Sequence, residues 1–422
     1  MRVTEIFVPN DTPTITYVDR AEHKLQQRLK DLYDTPNMVV SISGPSKSGK
    51  TVLIKKVVPE DYLITIPGAG ITTAEMLWER ALNWMGVPNE TVKSSSTSTE
   101  VSANGEGGGK IKFPLVAEGE MKATGGVART WARDRSETRQ RGGLEQVVAE
   151  IAGSEFVVFI DDFHYIKPEV REEVGRQIKA AAEQGVKIFT ASVPHRAGDV
   201  VRSNPELRGR VAAVDMEYWT AEELAQIARK GFAALNGEIA PVVEATLAGE
   251  AFGSPQLMQS ICLNLCYGLP WRQPLEKQDR VNVSVDQMRD ALSATSSFTD
   301  FSNMVAALHT GAKTRGTERK IHDLVDGTRG DVYRAILLGI RKNPARLSFT
   351  YDEILNRVRD VCSEEAPVGS SINSALEQMH IIGDEVQPGT SPISWDENVL
   401  DITDPYFLFY LRYSEKLAAL AK

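Results

Sequence analysis

Residues 44–51 form a glycine-framed loop that ends in a lysine and a threonine, a combination suited to binding phosphate. Gly44 and Gly49 allow the backbone N–H groups between them to surround phosphate oxygens, Lys50 reaches the β and γ phosphates, and the Thr51 hydroxyl binds Mg²⁺. We therefore predict a site for a nucleoside triphosphate with Mg²⁺. The residues expected to bind the nucleotide here are Gly44, Ser46, Lys47, Ser48, Gly49, Lys50 and Thr51.

Two adjacent acids, Asp161 and Asp162, follow the apolar run Phe156–Ile160. Two carboxylates at the end of a buried strand are costly unless a cation lies nearby. We expect Asp161 to belong to the Mg²⁺ shell with Thr51, and Asp162 to orient or polarise an attacking water. This pattern predicts hydrolysis of a nucleoside triphosphate.

Further polar residues lie close to two later strands. Ser192 follows the fourth strand, where it is either a sensor of the γ-phosphate or an ordinary turn residue. Arg202, Arg208 and Arg210 precede the fifth strand, and an arginine there is either solvated or able to reach the γ-phosphate of a neighbouring subunit. Both alternatives remain open for each residue.

The elements that must position these residues alternate between strand and helix, which predicts an α/β core: a P-loop parallel five-stranded sheet with helices on both faces. An amphipathic helix over residues 18–33 leads into the first strand. Buried strands are predicted at Tyr62–Ile66, Phe156–Ile160, Val186–Thr190 and Val211–Met216.

This core covers residues 1–215, and the sequence predicts three further parts beyond it. Residues 216–270 form a small helical lid, 271–330 a polar and irregular connecting segment, and 331–422 a winged-helix domain. The last of these rests on helical patterns at Asp331–Ile340, Tyr351–Val361 and Ser370–Met379, followed by a possible strand pair.

Residues 88–143 interrupt the core as a Ser/Thr-rich and Gly-rich insertion. Its arginines form either a basic cluster for a polyanion or acidic protein surface, or a plain solvated helix in which Asp134 and Glu137 balance the charge. They are Arg129, Arg133, Arg135, Arg139 and Arg141.

The composition limits the class of protein. The chain has 422 residues, a formal net charge of -9, and only three cysteines. An acidic chain is not expected to bind nucleic acid or anionic lipid over its whole surface. The sparse thiols favour buried cysteines and a cytoplasmic protein, and no apolar run is long enough to span a membrane.

Together these residues resemble the AAA+-related STAND ATPases, especially the archaeal-type ATPases near the origin-recognition branch. The resemblance covers residues 18–270 and the C-terminal domain. It rests on the loop at 44–51 and on the motifs Val-Asp-Arg-Ala-Glu at 18–22, Phe-Ile-Asp-Asp-Phe-His at 159–164, Gly-Ser-Pro at 253–255 and Ile-Thr-Asp-Pro-Tyr-Phe-Leu-Phe-Tyr-Leu-Arg at 402–412.

The resemblance implies that Arg20 lines the adenine side of the site, that Pro255 packs on the nucleotide from the lid, and that the winged helix closes over the ADP form. One departure matters: the lid helix start at 253–259 has no arginine to sense the γ-phosphate, which is similar to a STAND switch and unlike a processive motor. We also expect that no effector is fused at either end and that an effector acts in trans.

The winged helix raises the question of DNA binding. Between Arg359 and Arg412 there is no Lys or Arg, whereas acids are frequent. DNA binding requires neutralisation of phosphates, so this domain is expected to contact protein instead.

Three functions stay open. The first is an ATP-dependent switch that forms homo-oligomers in the ATP state and regulates an effector, with a role in stress or antiviral signalling by family analogy. The second is a DNA-associated ATPase, an initiator or transposition regulator that binds through the arginines of the insertion and the core. A small-molecule kinase is the third, although the chain has no evident acceptor pocket.

Overall fold

The central sheet consists of β1 (Val39–Ser43), β2 (Leu63–Pro67), β3 (Val157–Asp161), β4 (Lys187–Ser192) and β5 (Val211–Asp215). All neighbouring pairs are parallel and the order is β2-β3-β4-β1-β5. The computed structural model describes residues 1–86, 143–193, 204, 207–313, 316 and 318–421. The five predicted strands are present, which confirms the parallel α/β sheet.

Helices cover both faces of this sheet because side chains of each strand alternate between the faces. Val40 and Ile42 of β1 share one core with Leu53 and Ile54 of the helix after the loop. The opposite face has its own core, which includes Ile160. The helices of this part are α2 (Leu25–Tyr33), α3 (Lys50–Val57), α4 (Ala74–Trp84), α5 (Leu144–Ile151) and α6 (Pro168–Glu183), whereas α1 (Val3–Ile6) packs into the core of the lid.

The region predicted as a lid follows β5 and contains α7 (Ala221–Ala234), β6 (Gly237–Ile239), α8 (Pro241–Glu250) and α9 (Pro255–Gly268). Its helix starts are encoded locally. Thr220 and Glu223 form a capping box at α7, and the Ser254 hydroxyl caps α9 ahead of Pro255. Cys262 and Cys266 are buried thiols in α9.

Residues 271–330 are more regular than their polar sequence indicates. They contain β7 (Asp279–Val281), α10 (Val285–Ser296), α11 (Ser302–Thr310), β8 (His322–Asp323) and β9 (Arg329–Gly330). A capping box formed by Ser284 and Gln287 starts α10, and Met304, Val305 and Leu308 bury one face of α11. Local capping and tertiary burial therefore order a segment whose apolar content is low.

The C-terminal part has the element order of a winged helix. It comprises α12 (Val332–Arg341), β10 (Ser348–Thr350), α13 (Tyr351–Asp360), α14 (Gly369–Val386), β11 (Ile393–Asp396), β12 (Val399–Ile402), α15 (Pro405–Tyr413) and α16 (Lys416–Ala419). Its strands form an antiparallel sheet in the order β10-β12-β11. The three predicted helices are present, and α14 extends beyond the predicted end at Met379.

The lid, the 271–330 segment and the C-terminal part share one hydrophobic core. It contains Leu257 from α9, Leu308 from α11 and Phe407 from α15, all buried. Displacing the winged-helix elements from the lid would therefore expose apolar surface. Among the described helices, none is both long and apolar enough to cross a membrane.

Candidate active site

The glycine-framed loop connects the end of β1 to the start of α3. Gly49 adopts a left-handed backbone with φ of 93°, a conformation that glycine allows without strain. Gly44 has no room for a side chain, because a Cβ there would lie 2.8 Å from the Cβ of Met216. Both glycines are therefore required by the path of the loop.

Lys50 is buried inside the loop. Its Nζ donates hydrogen bonds to the carbonyl oxygens of Gly44 and Pro45, each at 2.9 Å. Burial lowers the pKa of Lys50 to about 8, while Asp162 and Asp161 oppose that shift. A phosphate in the loop would supply the anion that favours the charged ammonium.

Thr51 and Asp161 meet as the sequence predicts. The Thr51 Oγ1 donates to the Asp161 Oδ2 at 2.9 Å, across 110 residues of sequence. One hydroxyl and one carboxylate are hard oxygen donors of the kind Mg²⁺ takes from proteins, with phosphates and waters completing its shell. The residue types and their approach fit Mg²⁺.

Asp162 adopts a left-handed backbone with φ of 53°, which is unusual outside glycine. Its N–H donates to Asp161 Oδ1 at 3.0 Å, and a Cβ on Gly68 would approach the Asp162 carbonyl within 2.5 Å. Burial raises the pKa of the Asp162 carboxyl, the Asp161 charge adds to the shift, and Lys50 and Lys47 oppose it. A raised pKa makes the Asp162 carboxylate a stronger base than a solvated aspartate.

A cavity of about 460 Å³ opens beside these residues. Its walls come from the loop, from β3 and its following residues, from the lid, and from the N-terminal stretch 8–20. Arg20, at the end of this stretch, is a predicted lining residue, whereas residues 8–17, His164, Tyr165 and Trp219 are not predicted from the sequence. Pro9 and Pro13 favour extended chain there, but no local pattern in the sequence places that chain beside the loop.

The N-terminal stretch is fastened to the lid by buried hydrogen bonds. Gln259 of α9 accepts from the Val8 N–H at 3.2 Å and donates to the Thr16 hydroxyl at 2.7 Å. Thr16 in turn donates to the Ile6 carbonyl at 3.1 Å. The cavity is therefore enclosed by chain segments that lie about 250 residues apart in sequence.

Arg20 lines the cavity, but its guanidinium is engaged by the lid. It donates to Glu223 at 2.7 Å and to the Glu217 carbonyl at 3.1 Å, and it lies over the Trp219 ring at 5.3 Å. The polar atoms of Arg20 therefore already have protein partners, and its role on the adenine side stays a prediction.

The lid contacts the loop at two points. Trp219 Nε1 donates to the Ser48 carbonyl at 2.9 Å, and the Ser254 hydroxyl donates to the Lys47 carbonyl at 3.4 Å. Pro255, the next residue, lines the cavity. Lid and loop therefore form one continuous wall.

Ser192 lies at the end of β4 beside Ser43, which hydrogen-bonds Asp215. Strand alternation places Ser192 on the sheet face opposite Asp161. Its buried hydroxyl has no hydrogen-bond partner among the described residues, and Val193 lines the cavity instead. The Ser192 carbonyl accepts a hydrogen bond from the Gly44 N–H at 3.2 Å, so Ser192 lies beside the start of the loop, and its role as a sensor of the γ-phosphate stays a prediction.

Arg208 and Arg210 lie just before β5, at the amino-terminal end of the parallel strands, whereas the loop follows the carboxyl end of β1. Both are exposed, and Arg210 forms an ion pair with Glu183 at 3.1 Å. Neither approaches the loop of its own chain. Arg202 and the arginines of the insertion lie outside the described residues.

Comparison with known proteins bears on the fold. No family model matches the chain, and no curated protein matches it. Among solved structures, a Walker-type ATPase of Pyrococcus abyssi has a TM-score of 0.51 at 15% identity, covering 96% of this chain and 99% of that one.

Two further solved structures are similar at lower scores. The ORC2 protein of Aeropyrum pernix has a TM-score of 0.49 at 12% identity, covering 98% of each chain. Cdc6p of Pyrobaculum aerophilum has a TM-score of 0.42 at 12% identity and 99% coverage of each. The Pyrococcus likeness shows that this chain shares its fold with that Walker-type ATPase.

Proposed function

We propose that this protein binds ATP with Mg²⁺ and hydrolyses it. The observation that carries the proposal is the 2.9 Å hydrogen bond between Thr51 and Asp161, because it joins the end of the loop to the end of β3. These two oxygens would hold Mg²⁺, which would neutralise phosphate charge when bound.

The other roles follow from position and charge. Lys50, now bonded to the Gly44 and Pro45 carbonyls, would exchange them for phosphate oxygens and stabilise the transferred charge. Asp162 lines the same cavity with a raised pKa, so its carboxylate would accept a proton from the attacking water.

We further propose that nucleotide binding switches the position of the lid and C-terminal part together. The lid contacts the loop through Trp219 and Ser254. It is joined to the C-terminal part by a shared core and by the buried pair of Ser260 and Tyr406 hydroxyls at 3.1 Å. A ligand that favours one lid position therefore shifts the population of the whole unit.

In this proposal the ATP form associates with further copies of itself and acts on a separate effector, as in a STAND switch. The exposure of Arg208 and Arg210, at the edge remote from their own loop, supports contact with a neighbouring site. Such an arginine would stabilise charge on the γ-phosphate. Signalling in stress or antiviral defence remains part of this proposal.

A second candidate is a DNA-associated ATPase. The winged-helix order of elements in 332–402 favours it, whereas the absence of Lys and Arg between Arg359 and Arg412 argues against contact through α14. If the protein has this function, the phosphate backbone of DNA would bind to a surface other than α14, and the affinity for DNA would fall steeply as the salt concentration rises.

One experiment separates the candidates. Light scattering gives the mass of the protein with ADP, with a non-hydrolysable ATP analogue, and with the analogue plus duplex DNA, and phosphate release is measured in parallel. Assembly with the analogue alone supports the switch, and assembly only with DNA supports the second candidate. Absence of phosphate release from ATP under every condition would contradict hydrolysis.

A further inference from the structure

The segment that joins β5 to α7 crosses the phosphate loop. The Met216 N–H donates to the Ser43 carbonyl at 2.7 Å, at the end of β1. Three residues later the Trp219 indole donates to the Ser48 carbonyl at 2.9 Å. The segment that leads into the lid is thus hydrogen-bonded to Ser43, where β1 ends, and to Ser48, the residue before Gly49.

The Trp219 bond determines the direction of one peptide group. The Ser48 carbonyl and the Gly49 N–H belong to the same planar trans peptide, so they point in opposite directions. When the indole holds the carbonyl, the Gly49 N–H is turned to the opposite side. Gly49 lines the cavity and makes this orientation possible with its positive φ.

We propose that Trp219 is a positioning residue for the phosphate loop: its indole N–H orients the Ser48–Gly49 peptide so that the Gly49 N–H is presented to a nucleotide phosphate. This inference rests on the proposed nucleotide binding. It means that Trp219, which lies just before the lid, contributes to the affinity of the loop for phosphate.

Trp219 is itself held from two other segments. The Arg20 guanidinium lies over its ring at 5.3 Å and donates to Glu223 of α7 at 2.7 Å. Glu223 also accepts from the Thr220 N–H at 2.7 Å, as part of the capping box. The N-terminal stretch and the first lid helix therefore set the place of the indole.

These contacts link loop occupancy to lid position. If the lid moves, α7 and Trp219 move with it, the Ser48 carbonyl loses its donor, and the Gly49 peptide is free to rotate. Because such coupling is reciprocal, a phosphate that selects the oriented peptide also favours the lid position that supplies the indole. Substitution of Trp219 should therefore lower the affinity for a nucleotide that carries phosphates and leave the affinity for adenosine unchanged.

The test compares Trp219→Phe with Trp84→Phe in the full-length protein. Phenylalanine keeps an aromatic ring beneath Arg20 but removes the N–H, and Trp84 is an exposed tryptophan at the end of α4. ADP and adenosine affinities are measured by calorimetry or competition, and thermal unfolding is measured without nucleotide.

We expect Trp219→Phe to weaken ADP binding about five- to tenfold, the effect of one lost hydrogen bond, while adenosine affinity is unchanged. Trp84→Phe should match the wild type. Equal ADP affinity in Trp219→Phe and wild type would overturn the inference alone, and so would parallel losses for ADP and adenosine. Failure of the wild type to bind ADP would instead overturn the proposed function as well.

Discussion

The Lys50 ammonium donates to the Gly44 carbonyl at the start of the same loop that Lys50 ends. In this arrangement the lysine closes the loop on itself and is buried with its charge shared between two carbonyls. Phosphate binding must therefore exchange carbonyl partners for phosphate oxygens, and the cost of burying the free ammonium makes that exchange sensitive to pH.

We predict that ATP affinity falls as the pH rises above about 8. Burial lowers the pKa of Lys50 to about 8, so above that pH the free protein holds a neutral lysine. Bound phosphate favours the charged form, so binding then requires proton uptake, and the affinity falls by up to about tenfold per pH unit. Calorimetry at several pH values, in buffers of different ionisation enthalpy, measures both quantities. Constant affinity with no proton uptake at pH 9 would contradict this prediction.

Asp162→Asn should slow hydrolysis about 10²- to 10⁴-fold while ATP affinity changes little. The substitution keeps the shape of the side chain but removes the proton acceptor that faces the cavity. Single-turnover phosphate release measures the chemical step. Asp161→Asn is the matched comparison, because it should weaken Mg²⁺-dependent binding instead. Wild-type turnover in Asp162→Asn would remove this residue from the mechanism.

Arg20→Met should destabilise the fold by about 2–3 kcal/mol, because Glu223 would keep a largely buried charge without its partner. Urea unfolding measures the loss. Arg176→Met is the control: Arg176 forms exposed ion pairs with Glu172 and Glu173 on α6, and little change is expected there. Equal losses of stability in both variants would contradict a stabilising role for the Arg20–Glu223 ion pair between the N-terminal stretch and the lid.

Arg412→Ala should loosen the C-terminal part from the lid. Arg412 donates to Glu250 of α8 at 3.1 Å, to the Arg341 carbonyl at 2.6 Å and to Asn343 at 2.8 Å. Of these three bonds, the one to Glu250 joins the C-terminal part to the lid, and the other two lie within the C-terminal part. Losing it would weaken the coupling between lid movement and the C-terminal part, so assembly should need an analogue concentration about five- to tenfold higher. Light scattering measures the shift against Arg289→Ala, an exposed control on α10. An unchanged midpoint of assembly would contradict the switch.

Local patterns predicted much of the site. Each predicted residue lies at or directly after the end of a strand, so its position follows from the α/β order of elements. This holds for the loop glycines, Lys50 and Thr51 after β1, and for Asp161 and Asp162 at the end of β3. The contacts of Gln259 with Val8 and Thr16 join distant segments, and no local propensity encodes them. Likewise, α10 and α11 depend on capping and a shared core more than on apolar content.

The most direct test of nucleotide binding is calorimetric titration of the wild type and Lys50→Ala with a non-hydrolysable ATP analogue, with and without Mg²⁺. We predict one site per chain in the wild type, tighter binding with Mg²⁺, and loss of most affinity in Lys50→Ala. Equal binding by both proteins, or no binding by the wild type, would contradict the assignment of the loop at 44–51 as the nucleotide site.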